Sequence, residues 1–425
     1  MIVLPSEEPA PRVTTFQSLR IRNFRLFFTG QLISQVGNWL TLVAQALLVL
    51  HLTGSGLAVG VMTACQFLPV LLFGAWAGLV ADRSDKRKLL MVVQSFAMLQ
   101  SFMLAALAFM GDPPIAALYA VALAGGFATA FDNPARRAFV VEMVPEPYVH
   151  NSVSLNSALM TGSRIVGPAL AGLLIAGFGF GWCFLLDGVS YIAVLIGLWM
   201  MRPSELRAAE PTPRSKGQVR AGLRYARAMP DLWIPLVMMT IVGTFAFNFN
   251  VVMPLFVTRT MHGSSMMFTL VLSVVSVGSL VGALYTARSS DKGVGHVIRG
   301  ATLFGISLLI FAAAPNLGFA FLVALAVGFS SILFMTASTS IVQIRTEPAM
   351  RGRVLALQAI VFLGTTPVGG PLLGWICEQF GARAGFAVGG IACFVAAAWG
   401  RLAIRRLDEG SERHALEHVA LPAGG

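Results

Sequence analysis

Apolar runs long enough to cross a bilayer recur along the whole chain and are separated by short polar stretches. Six fall in the first half, at about Leu26 to Leu50, from after Gly56 to Val80, and at about Leu89 to Met110, Ile115 to Phe131, Val153 to Ile175 and Trp182 to Met201. Six more fall at about Ile234 to Val257, Phe268 to Thr286, Val297 to Ala314, Phe319 to Ser340, Leu355 to Cys377 and Phe386 to Leu402. The expectation is an all-α membrane protein with 12 transmembrane helices in two six-helix bundles. The domain boundaries that follow are an N-terminal tail over 1–22, a first bundle over 23–201, a linker over 202–233, a second bundle over 234–403 and a tail over 404–425.

Polar positions inside the runs are few and patterned. Gln31, Ser34, Gln35, Asn38 and Gln45 lie largely on one helical face, which suits either a cavity wall or polar contacts between helices. Pro134 is expected to end or bend the fourth run, leaving Ala138 to His150 as an interfacial linker. In the fifth run Gly162, Gly167 and Gly172 invite close helix approach, and Pro168 bends the backbone. Arg164 sits near the middle of that run, where a charge costs a few kcal/mol, about 2.5–3.5 on insertion scales. Its partner is Asp187 in the sixth run, Asp132, a substrate anion or the polar groups of the first run.

The net charge of +11 would suit nucleic acid, but its distribution excludes that reading. With alternate loops taken as cytoplasmic, nearly every Lys and Arg is inside and only Arg259 and Arg383 are outside. This arrangement puts both termini in the cytoplasm of an inner-membrane protein. Pro211 and Pro213 precede a stretch where Val219, Leu223 and Ala226 share a helical face flanked by Arg220, Arg224 and Arg227, expected as an amphipathic helix on the inner membrane surface. At 56% hydrophobic and 12% charged residues, the composition excludes a soluble globular protein. Cys65, Cys183, Cys377 and Cys393 stand apart and the six histidines are scattered, so no metal site, cofactor or catalytic residue is expected.

The turn Gly78-Leu79-Val80-Ala81-Asp82-Arg83-Ser84-Asp85-Lys86-Arg87-Lys88 resembles the signature loop of the major facilitator superfamily, with Asp85 where that loop usually has Gly. Asn133-Pro134-Ala135-Arg136 and the fifth-run Gly167-Pro168 resemble motifs of its exporter-like branch, which holds enterobactin-type siderophore exporters and multidrug efflux proteins. That branch often has Asp where this chain has Asn38. Ala287-Arg288-Ser289-Ser290-Asp291-Lys292 aligns with Ala81 to Lys86, and Gly328-Phe329, Glu347-Pro348 and Gly370-Pro371 follow the spacing of Gly126-Phe127, Glu146-Pro147 and Gly167-Pro168, arguing for two repeated halves.

The resemblance implies a secondary transporter working by alternating access, exporting an amphipathic small molecule against protons, as a monomer. Import or lysolipid flipping on the same scaffold is the alternative, and a membrane-embedded transferase lacks the acidic pair or His that its chemistry needs. Asp132 is the first candidate for proton coupling and Asp187 the second, with Arg164 tuning the acid or meeting the ligand. Gly78, Asp82, Arg83, Arg87 and Arg288 are gating-loop candidates. Gln31, Ser34, Asn38, Phe131, Phe247, Asn248, Asn250, Met335, Thr336 and Ser338 are substrate-cavity candidates, and Gly162, Gly167, Pro168, Gly172, Gly370 and Pro371 form the helix-packing motif.

Overall fold

The computed structural model describes residues 14–207, 218–288 and 293–419. Among them are twelve helical stretches with the length and composition to cross a membrane, and no strand. Spans one to six are Arg22–Thr53, Gly56–Arg83, Lys86–Phe109, Ile115–Glu142, Glu146–Phe178 and Phe180–Trp199. Spans seven to twelve are Pro230–Thr260, Ser265–Ala287, Val294–Ala312, Leu317–Arg345, Met350–Phe380 and Ala382–Leu407. The aligned segment Ser289 to Lys292 and the prolines at 211 and 213 lie outside the described residues.

Helix ends follow local chemistry. Asp85 accepts the Lys88 backbone N–H at 3.1 Å and so caps span three, which gives a physical use to the residue that departs from the signature loop. Asn316 caps span ten by accepting from Phe319 N–H at 2.9 Å. Gly179 and Gly381 end spans five and eleven with φ of 88° and 84°, a left-handed conformation open to glycine without a Cβ penalty. They stand at the same separation as Gly126 and Gly328, so the two halves repeat a structural device as well as a sequence.

Three expectations are corrected, and a fourth gains a contact. Span four does not stop at Asp132: the helix runs through Pro134 to Glu142, so there is no linker from Ala138. A proline removes one ladder bond, a loss that neighbouring elements in a packed membrane bundle can make good. Span seven breaks after Phe245 and resumes at Phe249, where the Asn248 side-chain amide donates to the Thr244 carbonyl at 2.7 Å and takes up an acceptor released by the break. Helix Gln218–Ala228 forms as expected, and it also packs on the second half, with Ala226 fully buried and Tyr225 Oη accepting from Glu347 N–H at 3.3 Å. The last helix continues past Leu407 to Val419, into the stretch read as a tail.

Contacts gather the chain into two units. Unit one holds the described residues to Ala44 and from Leu72 to 207, and unit two holds Gln45–Leu71 with everything described from 218 onward. In unit one, Phe24, Phe27, Leu90, Phe139 and Leu198 make an apolar core at one end of spans one, three, four and six. Within unit two, Gly56 and Gly60 of span two meet Gly374 and Gly370 of span eleven backbone to backbone.

Candidate functional site

In unit one, Asp132 and Arg136 are one turn apart on span four and pair at 2.5 Å with both side chains nearly buried. Gln94 of span three donates to the second Asp132 oxygen at 2.6 Å. Arg136 also donates to Gln31 Oε1 of span one at 3.2 Å, and Gln35 donates to the same oxygen at 3.1 Å. Gln31 and Ser34, expected on a cavity wall, are buried in this packing. The polar face of span one therefore serves contacts between helices at these positions, while Asn38 is exposed. Gln45 belongs to unit two and bonds Gln66.

Asp187 occupies a second, separate setting. It is 1% exposed, and its Oδ2 accepts from Thr41 Oγ1 of span one at 2.6 Å and from Ser101 Oγ of span three at 2.8 Å. Oδ1 has no hydrogen-bond partner. A Cβ on Gly37 would stand 2.5 Å from that oxygen, so glycine is what lets span one come this close. One turn on, Tyr191 Oη donates to Asn38 Oδ1 at 3.4 Å. Three spans thus converge on a carboxylate with hydroxyl partners and no ion pair among the described residues.

Span five is two-faced. Ser154, Ser157 and Arg164 are exposed and Thr161 half-buried along one side, whereas exposed Val166, Leu170 and Leu173 lie on the other. The apolar side suits lipid and the polar side suits water. Arg164 makes no ion pair among the described residues; its guanidinium lies 5.8 Å from the Trp39 ring centroid. Trp39 in turn packs on Gly167, beside buried Pro168 and Gly172. A Cβ added at Gly162 or Gly78 would meet nothing within 4 Å, so neither glycine serves a close approach here.

Phe131 is half-buried and packs edge-on to Trp76 at 5.4 Å. In unit two, half-buried Phe247 packs against Phe304 and Phe362 at 5.1 Å each in an aromatic cluster. Asn248 and Ser338 are buried, the latter accepting from Gln358 at 3.4 Å, while Asn250, Met335 and Thr336 are half-buried. Pro371 sits inside helix Thr366–Phe380 next to the Gly60 contact.

The basic turn is built into unit one by two of its side chains. Arg87 donates to the Leu198 and Trp199 carbonyls at 2.6 and 3.0 Å, closing the end of span six. Lys86 and Glu142 make a buried pair at 2.7 Å. Asp82 is half-buried, and Arg83 and Arg288 are exposed. Among the described residues no group of three His, Cys, Asp or Glu could hold a metal.

A family described as "Transmembrane secretion effector" matches residues 13–422. The chain belongs to this family of major facilitator transporters. Similar proteins include the staphyloferrin A transporter of Staphylococcus aureus, 25% identical over 86% of this chain and 92% of that one. The macrolide efflux protein A of Streptococcus pyogenes is 24% identical over 86% and 92%, and the multidrug efflux pump Tap of Mycolicibacterium fortuitum 24% over 85% and 90%. Among solved structures, a bacterial homolog of the human lysosomal transporter Spinster in an inward-facing, unoccupied conformation superposes with TM-score 0.72 at 15% identity, covering 90% and 96% of the two chains. A peptide transporter gives 0.73 at 14% identity over 90% and 94%. The fold of this family member is therefore the major facilitator fold of two six-helix bundles, and its activity is efflux or secretion transport, not enzyme catalysis.

Sequence reading missed Arg136, Gln94, Thr41, Ser101 and Trp39 as the partners of the three candidate charges. The four-residue spacing of Asp132 and Arg136 was a usable signal. Thr41 and Ser101 are far from Asp187 in sequence, and their types are ordinary in a span.

Proposed function

We propose that this transporter works as a monomer in the inner membrane, with both termini cytoplasmic, and exports an amphipathic small molecule in exchange for protons by alternating access. The bundles at 23–201 and 234–403 would move as bodies joined by the linker at 202–233. The observation that carries the reading is Asp187, a carboxylate enclosed in the membrane by hydroxyl groups and without a cation among the described residues. Protonating Asp132 strands the buried Arg136, whereas protonating Asp187 strands no charge, which reverses the order expected from sequence. Inverted membrane vesicles test the reading: a fluorescein-type amphiphile accumulates when the lumen is acidic and leaks out when the gradient is collapsed. Accumulation indifferent to the gradient contradicts it.

Arg164 offers the exposed side of span five a guanidinium backed by an indole, a surface for an anionic or aromatic group of the solute. Arg164→Gln is predicted to raise the KM for the fluorescein-type amphiphile by about tenfold, the loss of roughly one charge-assisted contact. Thermal stability stays unchanged, because no ion pair is broken. An unchanged KM removes Arg164 from solute binding.

A further inference from the structure

The efflux reading leaves unused a cavity of about 220 Å³ in unit two, among the ends of spans eight, nine and ten. Arg299 and His296 enter it from the start of span nine, Tyr285 from the last turn of span eight, and Thr336 and Ser340 from span ten. Among the described lining residues none is acidic. Arg299 Nη2 lies 2.7 Å from His296 Nε2. A guanidinium has no acceptor, so in this contact Arg299 donates to the ring nitrogen. The remaining guanidinium N–H groups and the hydroxyls make a donor-rich, positively charged pocket.

Its surroundings identify the occupant. Arg299, Leu303, Ile306 and Ile310 are all exposed and follow one another along one face of span nine. Val277, Val281 and Leu284 make a second exposed apolar row on span eight. From Arg299 to Ile310 the helix rises about 16 Å, close to the roughly 15 Å of hydrocarbon in one leaflet. Charge at the end of the span and an apolar stripe of leaflet length match a membrane amphiphile with an anionic head. They do not match a water-soluble anion, which has no use for the stripe.

We propose that this cavity holds the phosphate headgroup of an anionic phospholipid, with an acyl chain along Leu303, Ile306 and Ile310. A zwitterionic lipid is disfavoured because its ammonium group must lie near Arg299, with no acid among the described lining residues to receive it.

Native mass spectrometry of the purified full chain, titrated with phosphatidylglycerol, phosphatidylcholine and glycerol 3-phosphate, tests this. The wild type retains one phosphatidylglycerol at least about tenfold more tightly than phosphatidylcholine, and Arg299→Gln loses about tenfold in that affinity. Ala337→Leu, which fills the cavity without touching a charge, gives the same loss and stands in if the first variant does not stay monodisperse. Equal retention of the two lipids, or undiminished phosphatidylglycerol binding in both variants, overturns the proposal. Displacement of the lipid by equimolar glycerol 3-phosphate also overturns it, and reassigns the pocket to a soluble phosphate.

Discussion

Asp187→Asn abolishes accumulation driven by the proton gradient and leaves the protein folded. The substitution keeps the shape of the side chain and an oxygen that accepts from Thr41 and Ser101, now at 2.6 and 2.8 Å, and it removes the site that can gain or lose a proton. The new amide donor faces the position where Oδ1 has no partner, at a cost of about 1–3 kcal/mol. Asp132→Asn is the informative contrast. It leaves Arg136 buried without its carboxylate, and truncating one side of such a pair costs about 3–5 kcal/mol. Both variants lose transport, but only the Asp132 variant shows a large drop in thermal unfolding temperature in detergent. If the Asp187 variant still accumulates solute on acidification, another group carries the proton.

Lys86→Met is expected to destabilise the protein by about 1.5–3 kcal/mol, because it removes a charged partner of the buried Glu142 carboxylate. The pair joins the start of span three to the end of span four, next to the Asp85 cap, so its loss loosens the basic turn that carries the family's signature. Combining Lys86→Met with Glu142→Leu recovers part of the loss, since the buried carboxylate that lost its ammonium partner is then gone. Chemical denaturation of wild type, single and double variants measures this. A double variant no more stable than the single one contradicts the ion-pair account.

The spans and the basic turn were legible because hydrocarbon imposes a length and a polarity on every crossing segment. Asp85 shows how far local chemistry reaches: its capping role follows from its place before span three. Pro134 shows the limit, since the rule for an isolated helix is overridden where neighbouring spans hold the backbone. Pairings were the least legible part. Arg164 could have met any of several groups by sequence, and it lies over Trp39, a contact set by how spans one and five cross at Gly167. Phe247 had the composition of a ligand contact, yet its neighbours Phe304 and Phe362 arrive from spans that no spacing rule connects to it.

The most direct measurement is proton movement in liposomes containing only this protein, with a pH-sensitive dye trapped inside and a fluorescein-type amphiphile added outside. The account predicts a proton flux opposite in direction to the solute flux, present in wild type and absent in the Asp187→Asn variant. Solute movement with no accompanying pH change in wild type would contradict it.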